Sequence, residues 1–219
     1  MTVSRVESPW ARLRPRRLVP AVERRVRRTW YRDGGPDDQW CRIVMNREIH
    51  AHLESLPPDR TSVLEVSGTS HREHAWLAYE SSRYPDLDLC APPAVVPHYD
   101  AVICEQVLEH VSDPWLAART LHALCRPGGR LIVSTPFLIR VHPTPYDFWR
   151  FTEDGLRRLL EDAGFVVDAT RSWGNKAAAR GNLRRFPPMR PWRSLRNDAE
   201  FPLVVWAYAH RPDDVTSHS

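Results

Sequence analysis

An α/β fold built on a mostly parallel sheet is predicted by two segments and the turn between them. Tyr99-Asp100-Ala101-Val102-Ile103-Cys104 is an apolar strand core that runs straight into the polar, helix-opening turn Glu105-Gln106. Arg130-Leu131-Ile132-Val133-Ser134-Thr135 is a second strand, entered through the turn Pro127-Gly128-Gly129. Between them Pro114 to Cys125 reads as a helix, so strand, helix, turn and strand make one right-handed crossover. In such sheets ligands sit outside the carboxyl ends of the strands, which places Glu105 and Gln106 where a ligand would be.

The remaining elements follow in order. Residues 1–17 read as a flexible arm, and Val22, Val26 and Trp30 recur at helical spacing between Val19 and Tyr31. A better helix spans Asp38 to Leu56, with Trp40, Ile43, Val44, Ile49 and Leu53 on one face and Pro57-Pro58 as its stop. The first strand is Val63-Leu64-Glu65-Val66, apolar enough to be buried on both faces. A second is expected at Ala75 to Tyr79 and a brief third at Leu87-Asp88-Leu89. After the crossover comes a loop of breakers and aromatics, Pro136 to Phe151. Thr152 then caps a helix from Glu153 to Ala163, whose apolar face is Leu156, Leu159 and Leu160 and whose stop is Gly164. Phe165 to Ala169 is a further strand, Ser172 to Glu200 is mostly loop, and Phe201 to Ala209 closes the sheet as an edge or penultimate strand. A disordered tail is expected over 211–219.

Composition bounds the function. A chain of 219 residues with 42% hydrophobic and 26% charged residues supports one soluble α/β domain and excludes wholesale disorder. Cys41, Cys90, Cys104 and Cys125 are scattered without a C-x-x-C pair, as expected of reduced thiols in a cytoplasmic protein. No apolar run reaches the roughly eighteen residues that a membrane-spanning helix needs. The net charge of +4 sits largely on the arginines before Asp33. Such an arm can grip nucleic acid or anionic lipid, but Lys176 is the only lysine, so arginine enrichment reads first as a coding bias. His71-Arg72-Glu73-His74 is not the zinc-binding His-Glu-x-x-His pattern, and no metal site is expected.

The runs Val63 to Gly68, Tyr99 to Val111 and Arg126 to Thr135 together resemble the class I S-adenosylmethionine (SAM)-dependent methyltransferases, in particular their small methyltransferase type 11 branch. The resemblance covers roughly Val63 to Phe165. It implies a Rossmann-like, mostly parallel sheet of seven strands with N-terminal helices. Residues 59–210 would form the SAM-binding domain, and the helices in 18–58 would lid the acceptor pocket. It further implies SAM as cofactor and methyl transfer to a small-molecule acceptor in bacterial secondary metabolism. Two other readings stay open: the same fold as a non-catalytic binding or scaffold protein with an eroded glycine loop, and a nucleic-acid methyltransferase using the arginine arm. The second is disfavoured because the chain lacks an Asn/Asp-Pro-Pro-Tyr type tetrad.

The resemblance also marks site residues. Glu65-Val66-Ser67-Gly68 stands at the family's acid-x-Gly-x-Gly turn, with Ser67 where the first glycine is expected. Glu65, Ser67 and Gly68 would then hold the cofactor, although any strand followed by a turn can look this way. Glu80 is the nearest acid for the ribose hydroxyls, or a solvated carboxylate. Asp88 and Leu89 resemble the Asp-Leu run beside the adenine, or belong to an exposed edge strand. Glu105 and Gln106 stand where the family contacts the methionine part of SAM, while His110 reads as a packing residue. In the Pro-stiffened loop His142 to Thr152, His142 or Asp147 would serve as base and Tyr146 and Trp149 as aromatic wall; otherwise Asp147 simply pairs with Arg150 and the aromatics cover the helix that follows. His142 titrates nearer neutrality and is the better base.

Overall fold

The computed structural model describes residues 39–92 and 96–214. The arm over 1–17 and the helix expected from Val19 to Tyr31 lie outside the described residues. Within them the chain runs α1 (Ile43–Glu54), β1 (Ser62–Val66), β2 (Ala78–Ser82), β3 (Tyr99–Glu105), α2 (Pro114–Leu124), β4 (Cys125–Pro136), α3 (Glu153–Asp162), β5 (Val166–Trp173), α4 (Lys176–Asn182) and β6 (Val204–His210). The sheet order is β2-β1-β3-β4-β6-β5, with the first four strands parallel and β6 antiparallel to both of its neighbours.

Six strands are present among the described residues rather than the expected seven. The third expected strand, Leu87 to Leu89, is a run of turns. Leu87 N donates to the Arg83 carbonyl at 3.0 Å, Ala91 N to that of Asp88 at 3.0 Å, and the Asp88 carboxylate takes Cys90 N at 2.8 Å. Backbone groups satisfied so locally have no call on a neighbouring strand. The second strand forms three residues later than expected, because Leu77 N is spent on the Pro58 carbonyl at 2.7 Å. A short helix, α4, stands inside the segment expected to be loop, capped by the Asn175 side chain on Ala178 N at 2.9 Å. Arg211, expected in a disordered tail, exchanges backbone bonds with Gly128 and Gly129. There the Pro-Gly-Gly turn is a bulge in β4, with Gly128 at φ +72°.

Helices cover both faces of the sheet. On one, Leu64, Val66, Val102, Cys104, Leu131 and Val133 meet Ala117 and Leu121 of α2 and Leu156, Leu159 and Leu160 of α3. On the other, Val63, Ala101, Ile103, Ile132 and Trp206 meet Met45, Ile49 and Leu53 of α1 and Ala178 of α4. Strand residues alternate between the two clusters, the period-2 geometry that buries a sheet on both sides. Thus α1, in the segment where a lid is expected, lies against the sheet as part of the core, with His52 stacked on Tyr208 at 4.0 Å. Thr152 caps its helix as expected, its side chain accepting Gly155 N, and Asp113 caps α2 in the same way by accepting Leu116 N.

The amino end of the sheet is clamped by Asp100, whose carboxylate takes Ser62 N at 2.7 Å and the Ser62 hydroxyl at 2.5 Å and pairs with Arg126. Burial pushes this carboxyl up, but the Ser62 bonds and Arg126 outweigh it and hold the group below the ordinary carboxylate range. A depressed folded-state pKa contributes stability that is full above the unfolded value of about 3.9 and lost as the pH falls through the folded value. Asp100→Asn is therefore expected to cost about 1–3 kcal/mol at pH 7, and the gap between the two proteins in urea unfolding should narrow as the pH falls below about 3.9. An undiminished gap at pH 3 would show that the clamp does not act through its charge.

Candidate active site

The chain leaves β1 toward β2 on one side and comes back to β3 on the other. This is a topological switch point, where open α/β sheets hold their ligands just beyond the carboxyl ends. Both strands end there in a left-handed residue, Ser67 at φ 61° and Gln106 at φ 55°. For a non-glycine residue that conformation costs about 1–2 kcal/mol. Each is held by its backbone N–H, Ser67 on the Ser82 carbonyl and Gln106 on that of Ser134, both at 2.8 Å.

The Glu65 side chain organises the turn after β1. It is buried, and its carboxylate accepts Ser70 N at 2.8 Å, His71 N at 3.0 Å and the Tyr79 hydroxyl at 2.6 Å. Gly68 is required by the same group, since a Cβ there would lie 2.3 Å from Glu65 Oε1. The Gly68 and Thr69 N–H groups donate to no group among the described residues and stand at the switch point. Across the crevice Glu105 meets His71 Nε2 at 2.8 Å, and the Gln106 amide donates to the Ser134 hydroxyl at 3.2 Å.

The other residues marked from sequence lie as follows. Glu80 sits level with Leu64, two positions before the carboxyl end of β2, and accepts the Tyr99 hydroxyl at 2.6 Å. Asp88 is engaged within its own turn, and Leu89 is buried in the core while its carbonyl accepts Thr120 Oγ1. Neither belongs to an edge strand.

Beyond β3 and β4 a second group assembles. Glu109 and His110 stand in the short 3-10 turn Leu108–His110, and the loop after β4 folds back onto them. Its anchors are Phe148 N and Trp149 N on the Glu109 carbonyl and Trp149 Nε1 on the Val111 carbonyl. Arg150 holds the loop from inside. Its guanidinium grips Asp147 through both carboxylate oxygens and also reaches the carbonyls of Ile139, Arg140 and Trp149. Asp147 in turn accepts His142 N at 2.7 Å. The Arg150–Asp147 pair is thus present, and it presents His142 to Glu109 rather than excluding it. Burial pushes Glu109 up to about 8 and His142 down to about 4. Tyr146 and Phe148 lie outermost, 39% and 48% exposed, with ring centroids 5.4 Å apart.

The sequence carries no local pattern for the cluster of Glu109, His110 and His142. Glu109 and His110 are adjacent, but His142 comes from the far side of a strand, so no local ligand spacing exists to detect. The signal that was available is chemical: a Glu-His pair and a Pro-fixed histidine follow consecutive strands at one edge.

A model of a methyltransferase domain matches residues 38–170. A curated relative, a probable SAM-dependent methyltransferase of Mycolicibacterium smegmatis, is 32% identical over 109 residues, 45% of this chain and 42% of that protein. The chain thus matches less than half the length of that relative. Among solved structures, the [4+2]-cyclase SpnF aligns with a TM-score of 0.54 and 14% identity over 84% of this chain and 86% of its own. The 1,6-didemethyltoxoflavin-N1-methyltransferase of Burkholderia thailandensis, solved with S-adenosylhomocysteine, aligns at 0.50 and 17% identity over 91% and 93%. These two likenesses bear on the fold alone. With the family model spanning well over half its length on a sheet of this topology, the chain belongs to the methyltransferase-domain family, as a member of its class I, SAM-dependent branch.

Proposed function

We propose that the protein transfers a methyl group from SAM to a small-molecule acceptor of bacterial secondary metabolism. The observation that carries the reading is the switch point between β1 and β3, where two strands end in left-handed residues and the Gly68 and Thr69 N–H groups beside them donate to no group among the described residues. Those donors fit a carboxylate, as the amino-acid end of SAM requires. Ser67 in place of glycine does not close the turn, because it takes the left-handed conformation that a glycine would. Bound SAM supplies a methyl on a sulfonium that is already a good leaving group. The protein has then to align donor and acceptor and to take up a proton where the acceptor carries one.

In this reading Glu65 shapes the turn, Glu105 and Gln106 border the methionine end, and the loop from His142 to Arg150 forms the acceptor side. Tyr146 and Phe148 offer it an aromatic wall, and His142, oriented by Asp147, lines the acceptor side, where burial holds it at about 4 and makes it a weaker base than its sequence leads one to expect. Isothermal titration of the full chain with S-adenosylhomocysteine should give one site of micromolar affinity. Absence of binding at millimolar ligand would remove the enzyme reading in favour of a scaffold.

A further inference from the structure

Glu109 is fully buried, yet neither of its carboxylate oxygens has a hydrogen-bond partner among the described residues. A buried carboxylate without partners costs several kcal/mol unless it takes up a proton or a cation or donor completes it, and a bound cation is what would keep it ionised at neutral pH. Two imidazole nitrogens face it without reaching it. His110 Nε2 lies 3.5 Å and His142 Nε2 3.9 Å from Glu109 Oε1, and the three ligand atoms all fall within 4.8 Å of one another. Ligand atoms each about 2.1 Å from one ion at tetrahedral angles stand about 3.4 Å apart, so the cluster is within a few tenths of an ångström of such a shell on its Glu109 edges.

The outer nitrogens bear on the orientation, with Arg150 Nη2 also 3.5 Å from His142 Nδ1 as a competing, longer contact. His110 Nδ1 lies 2.5 Å from the Tyr146 carbonyl. His142 Nδ1 lies 3.2 Å from Asp147 Oδ2 and 3.3 Å from the Arg140 carbonyl. An imidazole whose Nδ1–H is taken by a carbonyl or carboxylate presents a lone pair at Nε2, the arrangement that surrounds histidines bound to metals. Both Nε2 lone pairs then converge on a carboxylate whose oxygens have no side-chain hydrogen-bond partner among the described residues.

We propose that Glu109, His110 and His142 bind one divalent transition-metal ion, of the zinc, manganese or iron(II) class. Two imidazoles and a carboxylate suit these ions and not calcium or magnesium, which take oxygen shells. Three protein ligands leave coordination positions open, as catalytic sites do and closed structural sites do not. An acceptor oxygen can fill one of them. That extension rests on the methyl-transfer reading, whereas the metal site itself does not.

The test is metal binding by the full chain, stripped with a chelator and dialysed, with no cofactor present. Zinc and manganese salts are titrated separately, and cobalt(II) is used for its visible spectrum. The expected result is one ion per chain at micromolar affinity or better, with a Tm rise of about 5–10 °C at a hundredfold excess over Kd. Glu109→Gln and His142→Ala should each weaken binding tenfold or more. His50→Ala, in the separate ring cluster of His50, His74 and Trp76, should leave it unchanged. Should the cluster variants fail to fold, the cobalt spectrum of the unaltered chain and its survival in His50→Ala decide the matter. No bound ion, or binding lost in His50→Ala and kept in Glu109→Gln, would overturn the assignment. Because S-adenosylhomocysteine is titrated in a different experiment, failure of either reading leaves the other standing.

Discussion

Replacing Arg150 with alanine is expected to destabilise the protein by about 3–5 kcal/mol, the cost of stripping a buried charge of its partner. The Asp147 side chain is 1% exposed and its carboxylate is held by Arg150 from one side and by His142 N from the other. Without the guanidinium, Asp147 must ionise unpaired or take up a proton, and the carbonyls of Ile139, Arg140 and Trp149 lose a shared donor. Arg150→Lys should recover only part of the loss, since a single ammonium cannot span both carboxylate oxygens and three carbonyls. Urea unfolding measures the effect, and a change below 1 kcal/mol would show that the loop carries no weight in the fold.

Glu65→Ala is the second large effect, about 2–4 kcal/mol, because three donors lose one acceptor. Ser70 N, His71 N and the Tyr79 hydroxyl would be left to water or to nothing, and the turn that faces the switch point would lose its template. Affinity for S-adenosylhomocysteine should fall about tenfold or more in the same variant. Glu65→Gln should fall between, since an amide keeps the size but turns one of the two accepting atoms into a donor. If Glu65→Ala binds the nucleoside as tightly as the unaltered chain, the carboxylate does not shape the crevice.

Particular residues show how far the fold and site can be read from sequence. β1, β3 and β4 declare themselves because each is apolar on both faces, and the helix Glu153–Asp162 because Thr152 caps it. Leu87 to Leu89 misleads because so brief an alternation of acid and leucine suits a turn as well as a strand. Leu89 reaches the core from a turn. α4 was legible in Asn175 followed by Lys-Ala-Ala-Ala, and was obscured by the prolines and arginines around it. At the site, Glu65 and Gly68 stand out as a pair, yet their mutual contact, with the carboxylate pressed where a Cβ would be, is a tertiary fact that spacing cannot express.

The two outer strands bear on how the molecule meets its own copies. An uncovered strand is a ready template for another chain's backbone. β2 is only five residues long and carries Glu80, and Arg83-Tyr84-Pro85 follow it at once. β5 breaks its pairing with β6 at Asp168, which turns out to meet His210 at 2.8 Å, and Arg171 lies further along the same strand. A charge and a proline at one border and a bulge with charges at the other are devices that discourage edge-to-edge growth, so concentrated solutions of the folded chain should resist fibril formation by sheet extension.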